Sequence, residues 1–308
     1  MFTLPSAALR VASIPFEARR GEIDHNTDHV VARIEQAARE RVGLAVFPEA
    51  CLTGGMDAGA SADRLRTHRS QMKSLAASVD SEGVRAVADA VDRTGVAAGV
   101  GLIERASSGD LYSSYVVCLP GGERHVHRKL QRDGERHIAR GDGFTVFDAQ
   151  AGWRIAVLIG GDNYLVENAR MAALLGAALL VAPHAQADET AAADQARAWM
   201  HRTLPARALD NGMFVVYSET GDGAIVDPCG KLIAQRAGGD DMIAADLDPA
   251  ALGASPAHGW FEARRPDLYA RLAREADPDA PVFEPRSAGA RGAVAVSVAV
   301  VKRTGTRF

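Results

Sequence analysis

Short apolar runs alternate with stretches in which apolar residues recur every three or four positions, and this alternation spans most of the 308-residue chain. Strands that give way to amphipathic helices are the mark of a layered α/β architecture. Residues 7–15 read as a strand, and "DHNTDHVVARIEQAARERVG" (24–43) as a helix with Asn26 or Thr27 as cap and Gly43 as stop. A strand over 44–50, helical spacing over about 61–94 and a strand over 95–104 follow. The runs 111–120 and 123–130 flank Gly121-Gly122, a dipeptide suited to a hairpin turn.

Past a polar loop, "GFTVFDA" and "WRIAVLI" predict two more strands, then a helix over 166–177 and a strand over 178–184. A helical pattern from about 190 to 211 contains Pro205, which predicts a kink or a split. The strands "MFVVYSE", "GAIVDP", "KLIAQ" and "DMIAADLD" complete a second half that resembles the first in strand content, although no internal repeat is visible. Residues 276–291 are rich in Pro and Ala and read as a linker or tail, and 292–301 are β-prone. The expected organisation is one domain over 1–275 and a tail over 276–308.

Composition narrows the function classes. A chain that is 47% hydrophobic can bury a core, and a net charge of −4 argues against nucleic acid as a partner. No run approaches the roughly 18 apolar residues of a membrane span, and no basic stretch leads into an apolar one at the N-terminus. A cytoplasmic protein without a membrane partner is expected. Cys51, Cys118 and Cys229 lie far apart with no CxxC spacing, which excludes a disulfide framework or zinc ribbon. His125, His127 and His137 are close in sequence but lack metal-ligand spacing, so neither metal nor cofactor is expected.

Three segments carry candidate chemistry. "LAVFPEACLTGG" sets Glu49 just past a strand end, where α/β folds gather catalytic groups and where a carboxylate can act as a general base. "HVHRKLQRDGERHIARGDG" puts Lys129 at a strand end and Glu135 six residues on, a cation for a developing oxyanion and a carboxylate to hold it. Taken one at a time, both segments read more readily as solvated loop charges than as catalytic groups. "RIAVLIGGDNYLVENAR" runs from a strand into a helix start through Gly160-Gly161, the kind of elbow that carries a nucleophile in α/β hydrolases. Glycine has no side chain to attack with. His184, just after "LLVAP", either reaches a pocket mouth or caps the strand.

In their order and context, FPE with TGG, HRKL and "LIGGDNYLVENARMAALLGAALLVAPHA" resemble the carbon-nitrogen hydrolase (nitrilase) superfamily. "RARALDNGMFVVYSE", "GAIVDPCGKLIA" and "RRPDLYARL" extend the resemblance over about residues 7–272. The resemblance implies a four-layer α-β-β-α sandwich and a homodimer or larger homo-oligomer, with the 166–177 helix and the C-terminal segment as candidate contacts. It implies a small-molecule substrate with an amide, nitrile or carbamoyl C–N bond, Glu49 as general base, Lys129 as oxyanion stabiliser and Glu135 as supporting carboxylate. The family's nucleophilic cysteine falls on Gly160. Gly161 replaces a large neighbour and Asp162 is retained, and these two with His184 are the expected substrate contacts. Three readings stay open: an enzyme with divergent noncovalent chemistry, a catalytically dead or ligand-binding scaffold, and an ordinary amidase or nitrilase inactivated by replacement of its cysteine.

Overall fold

In a computed structural model, described for residues 4–55, 70, 72–131, 137–185, 191–269 and 272, the alternation resolves into two six-stranded sheets. The first half runs β1 (Leu9–Ser13), α1 (Ile23–Arg39), β2 (Leu44–Val46), α2 (Glu82–Thr94), β3 (Ala97–Arg105), β4 (Leu111–Cys118) and β5 (Arg124–Arg128). After β6 (Val146–Asp148), the second half runs β7 (Arg154–Val157), α3 (Val166–Leu174), β8 (Leu179–Pro183), α4 (Ala191–Asn211), β9 (Phe214–Glu219), β10 (Asp222–Val226) and β11 (Leu232–Ala237). β12 (Ile243–Leu247), α5 (Pro249–Gly253) and α6 (Ala257–Glu262) follow.

The sheet orders are β12-β1-β2-β3-β4-β5 and β11-β10-β9-β8-β7-β6. Each has three parallel strands, β1-β2-β3 or β7-β8-β9, continued by two antiparallel ones. Both halves therefore follow one plan, β-α-β-α-β-β-β. Hydrophobic period and turn position preserve that plan without residue identity, which is why the sequence displays no repeat.

Side chains alternate across each strand, so each sheet has two buried faces. Leu9, Val11, Leu44, Val46 and Val117 meet Ile155, Val157, Leu179, Val181 and Val216 between the sheets. On the outer face of the first sheet, Ala12, Ala45 and Val100 pack with Val30, Ile34, Val87 and Val91 of α1 and α2. Outside the second sheet, Ala156, Leu180 and Val215 pack with Ala169, Ala172, Met200 and Leu204 of α3 and α4. The result is the four-layer α-β-β-α sandwich, and burying each of these Val, Leu and Ile side chains contributes about 1.5–3 kcal/mol.

Several boundaries differ from the pattern-based expectation. β2 ends at Val46, because Pro48 offers no N–H to a ladder and Ala50 turns at φ 55°. α1 starts at Ile23 behind Glu22, so Asn26 and Thr27 are buried helical residues and not caps. Asn26 instead ties two loops together, donating to the carbonyls of Arg19 (2.7 Å) and Leu52 (3.0 Å). The helix stops at Arg39, ahead of Gly43, where Arg41 takes φ 57°. Of the 61–94 stretch, residues 70 and 72–75 are helical and α2 covers Glu82–Thr94, ending on Gly95 at φ 75°, while 61–69 and 71 lie outside the described residues. Pro205 does not split α4. The hairpin expected at Gly121-Gly122 forms, with φ 95° and 84°.

The sandwich lies in a compact unit, Met1–Ala263. In the second unit, Arg264–Phe308, the described residues form a turn at Pro266–Leu268 pinned by an Arg265–Asp267 ion pair of 2.6 Å. The tail expected over 276–308 and Glu135 lie outside the described residues. Among those described, no helix is long and apolar enough to cross a membrane.

Candidate active site

Glu49 is placed by the turn after β2. Its backbone N–H donates to the His184 carbonyl at 2.9 Å, which joins the end of β2 in one sheet to the end of β8 in the other. These residues hold equivalent places in the two halves. The chain then lies flat across β3: a Cβ on Gly101 would stand 2.9 Å from the Glu49 Cα, so only glycine admits this approach. Cys51, two residues on, points into the outer core, where its Sγ accepts the Gly101 N–H at 3.3 Å. Burial pushes its thiol up to about 12, and it stays a protonated packing residue.

Lys129 leaves β5 with its backbone held on both sides. Its N–H donates to the Ser113 carbonyl and its own carbonyl accepts the Gly141 N–H, each at 2.8 Å. The ammonium reaches Glu49 Oε1 at 2.9 Å, and Ser113 Oγ donates to the same oxygen at 2.6 Å. Both members of the pair are buried, Glu49 at 8% and Lys129 at 5% exposure. Glu49 Oε2 is also buried, yet among the described residues it has no hydrogen-bond partner. An unsatisfied carboxylate oxygen at such depth is costly unless a ligand or reacting group uses it.

The elbow supplies the third corner. β7 ends, and a tight turn over Gly160–Tyr164 begins with Gly160 at φ 51°. A Cβ at position 160 would lie 2.8 Å from both Glu49 Oε2 and Lys129 Nζ. Residue 160 therefore faces the bare carboxylate oxygen and the ammonium directly. Gly161 is buried in the same turn.

Asp162 fastens this turn to the lysine loop. Its Oδ2 accepts the N–H groups of Leu130 (3.0 Å) and Ile159 (3.3 Å), and its Oδ1 that of Gln131 (2.8 Å). The carboxylate is fully buried, with His127 Nε2 at 3.7 Å. It thus indexes the residue after Lys129 against the elbow. Asn163 completes the brace, donating to the carbonyls of Leu158 (2.8 Å) and Gly160 (3.1 Å).

His184 sits behind the elbow. Its Nε2 is 3.3 Å from Asn163 Nδ2, and its ring meets the Tyr217 ring edge-on at 5.1 Å. Burial, aided by the Lys129 charge, pushes its pKa down to about 3. The ring is neutral at physiological pH and rests against the Asn163 amide.

The structure thus brings together Glu49, Lys129 and Gly160, and sets Asp162 and His184 in the layer that supports them. Ser113 and Asn163 were not singled out from sequence. Ser113 had no clear signal: a two-residue turn at Gly121-Gly122 would set Ser114 opposite Lys129, and the loop instead spans residues 120–122, which brings Ser113 there. Asn163 had none, since its role depends on where the elbow turns. His125 and His127 take separate neighbours, the first stacked on Phe147 at 4.1 Å and the second 3.2 Å from Thr145 Oγ1.

The model of the carbon-nitrogen hydrolase family matches residues 7–257. A hydrolase in the pqqF 5′ region of Pseudomonas protegens is 28% identical over 264 residues, covering 79% of this chain and 85% of that protein. An aliphatic nitrilase of Sinorhizobium fredii is 25% identical over 279 residues, covering 79% and 86%. Among solved structures, Saccharomyces cerevisiae Nit3, a member of the nitrilase superfamily, superposes with a TM-score of 0.68 at 20% identity, covering 85% of this chain and 96% of that one. An amidase from Nesterenkonia sp. gives 0.65 at 21% identity, covering 88% and 98%. Structural likeness at such identity speaks to the sandwich; the family match, spanning the strands that carry Glu49, Lys129 and the elbow, goes further. The chain belongs to the carbon-nitrogen hydrolase family of the nitrilase superfamily.

Proposed function

We propose that this protein cleaves the C–N bond of a small amide, nitrile or carbamoyl compound without a covalent enzyme intermediate. In this reading Gly160 stands where relatives carry a nucleophilic cysteine; the Nesterenkonia amidase, for one, has an active-site cysteine. The carrying observation is the convergence on residue 160 of a bare carboxylate oxygen and an ammonium, each 2.8 Å from its would-be Cβ. A protein that served only as a scaffold would gain nothing from burying that pair, because its desolvation is costly.

For an amide, Glu49 Oε2 takes a proton from water, or from a nucleophile carried by the substrate, as its oxygen or nitrogen bonds to the carbonyl carbon. The carbonyl oxygen becomes an oxyanion beside Lys129. When the C–N bond breaks, the proton on Glu49 passes to the departing nitrogen, so the carboxylate is regenerated and the net reaction consumes one water or closes one ring. Holding a nucleophile in place is worth about 7–11 kcal/mol in favourable geometry, enough to compensate for much of what a thiol supplies. Asp162 and Asn163 act here as positioning residues, and neutral His184 supports Asn163.

The test is ammonia release from butyramide, acrylamide, small nitriles and N-carbamoyl amines. Turnover by the wild type that falls about 10²–10⁴-fold in Glu49→Gln is expected for a general base. Turnover confined to Gly160→Cys would overturn the noncovalent reading in favour of an inactivated site. We also propose a homo-oligomer. Val166, Met171, Leu174 and Leu175 on or beside α3 and Trp199 on α4 are exposed, and the two helices pack together. Such an apolar patch suits a second copy of the chain.

A further inference from the structure

The two oxygens of Glu49 live in unlike surroundings, and the difference gives Ser113 a task. Oε1 receives two donors, Ser113 Oγ at 2.6 Å and Lys129 Nζ at 2.9 Å. Oε2 is buried, has no partner among the described residues, and faces position 160. The terminal torsion of a glutamate is broad and roughly two-fold, so an unrestrained carboxylate exchanges its oxygens. Lysine alone does not prevent this, because an ammonium on a flexible stem is a point charge able to follow either oxygen. A hydroxyl fixed on a strand does.

We propose that Ser113 is a positioning residue that assigns Oε1 to holding the carboxylate and reserves Oε2 for proton transfer; this rests on the reading of Glu49 as the base. Ser113 lies on β4 opposite Lys129, whose backbone N–H its carbonyl accepts at 2.8 Å. One residue therefore sets both the backbone of the cation and the orientation of the carboxylate. At 6% exposure it is sheltered from water that would replace its hydroxyl.

The direct test is infrared spectroscopy of protein labelled with 13C-carboxylate glutamate, with Glu49→Gln identifying the Glu49 bands. Two donors on one oxygen and none on the other widen the separation of the asymmetric and symmetric stretches. Ser113→Ala is expected to narrow it and Ser113→Thr to restore it. An unchanged separation in Ser113→Ala overturns the proposal, whether or not the protein hydrolyses an amide. Should the alanine variant fail to fold, Ser113→Cys, with a similar volume and a weaker donor, gives the same comparison.

With butyramide as substrate, Ser113→Ala is expected to lower kcat about 10- to 100-fold with little change in KM, as loss of base alignment requires. A raised KM with unchanged kcat would count against it. Full activity in Glu49→Gln would instead remove the base assignment, and the infrared comparison would still judge the asymmetry of the oxygens.

Discussion

Replacing Gly160 with alanine tests how the site is built. Two costs arise, both visible in the geometry. Residue 160 has φ 51°, in the left-handed region where an L side chain costs about 1–2 kcal/mol. The new Cβ would also meet Glu49 Oε2 and Lys129 Nζ at 2.8 Å, several tenths of an ångström inside ordinary contact. The carboxylate does not swing away freely, since Ser113 holds Oε1 from a strand. Overpacking of a buried site costs about 1–3 kcal/mol. Gly160→Ala is therefore expected to be less stable than wild type by about 2–5 kcal/mol. Urea unfolding followed by tryptophan fluorescence would register a lower midpoint at unchanged slope. Gly259→Ala, in α6 with no atom within 4 Å of its Cβ position, is the control and should be neutral or stabilising by up to about 1 kcal/mol. A Gly160→Ala protein within about 0.5 kcal/mol of wild type would refute the reasoning, because the pair would then not be packed on residue 160.

Other expectations follow from the same contacts. Lys129→Met strands a buried carboxylate and should cost about 3–5 kcal/mol, with part recovered in the Glu49→Gln/Lys129→Met double variant; a double-mutant cycle with no coupling would refute the pair's burial. His184 has a folded pKa near 3 against about 6.5 unfolded, so the unfolded chain takes up its proton first as pH falls. The stability is complete above about pH 6.5, drops by about 2 kcal/mol at pH 5 and keeps falling toward pH 3. His184→Gln should remove that slope between pH 7 and 5, and a slope equal to wild type would show the ring is not buried neutral. Leu174→Glu, on the exposed face of α3, should shift the protein to monomer in sedimentation equilibrium, whereas a monomeric wild type would dismiss the proposed assembly.

What the sequence determined by itself is the succession of strands and helices, while the four-layer sandwich came from the family resemblance. Two periodicities and a few turn signals specify that succession, and these are local: Gly121-Gly122 makes a hairpin wherever it lies between β-prone runs, and "WRIAVLI" has apolar residues for both faces of a buried strand. Family motifs also singled out Glu49, Lys129 and Gly160 across a separation of more than a hundred positions. Helix ends were less legible, because Asn26 looks like a cap until its side chain is seen to bridge Arg19 and Leu52, a contact made by a distant loop. Only the tertiary structure decided how the site is wired. The register of β4 on β5 brings Ser113 to Glu49, the docking of one sheet on the other gives the Glu49 N–H to the His184 carbonyl, and the elbow turns Asp162 onto the amides after Lys129. Those are long-range hydrogen bonds in a sheltered interior. Their energies depend on burial and on ångström-scale placement, and no pattern along a single chain encodes either.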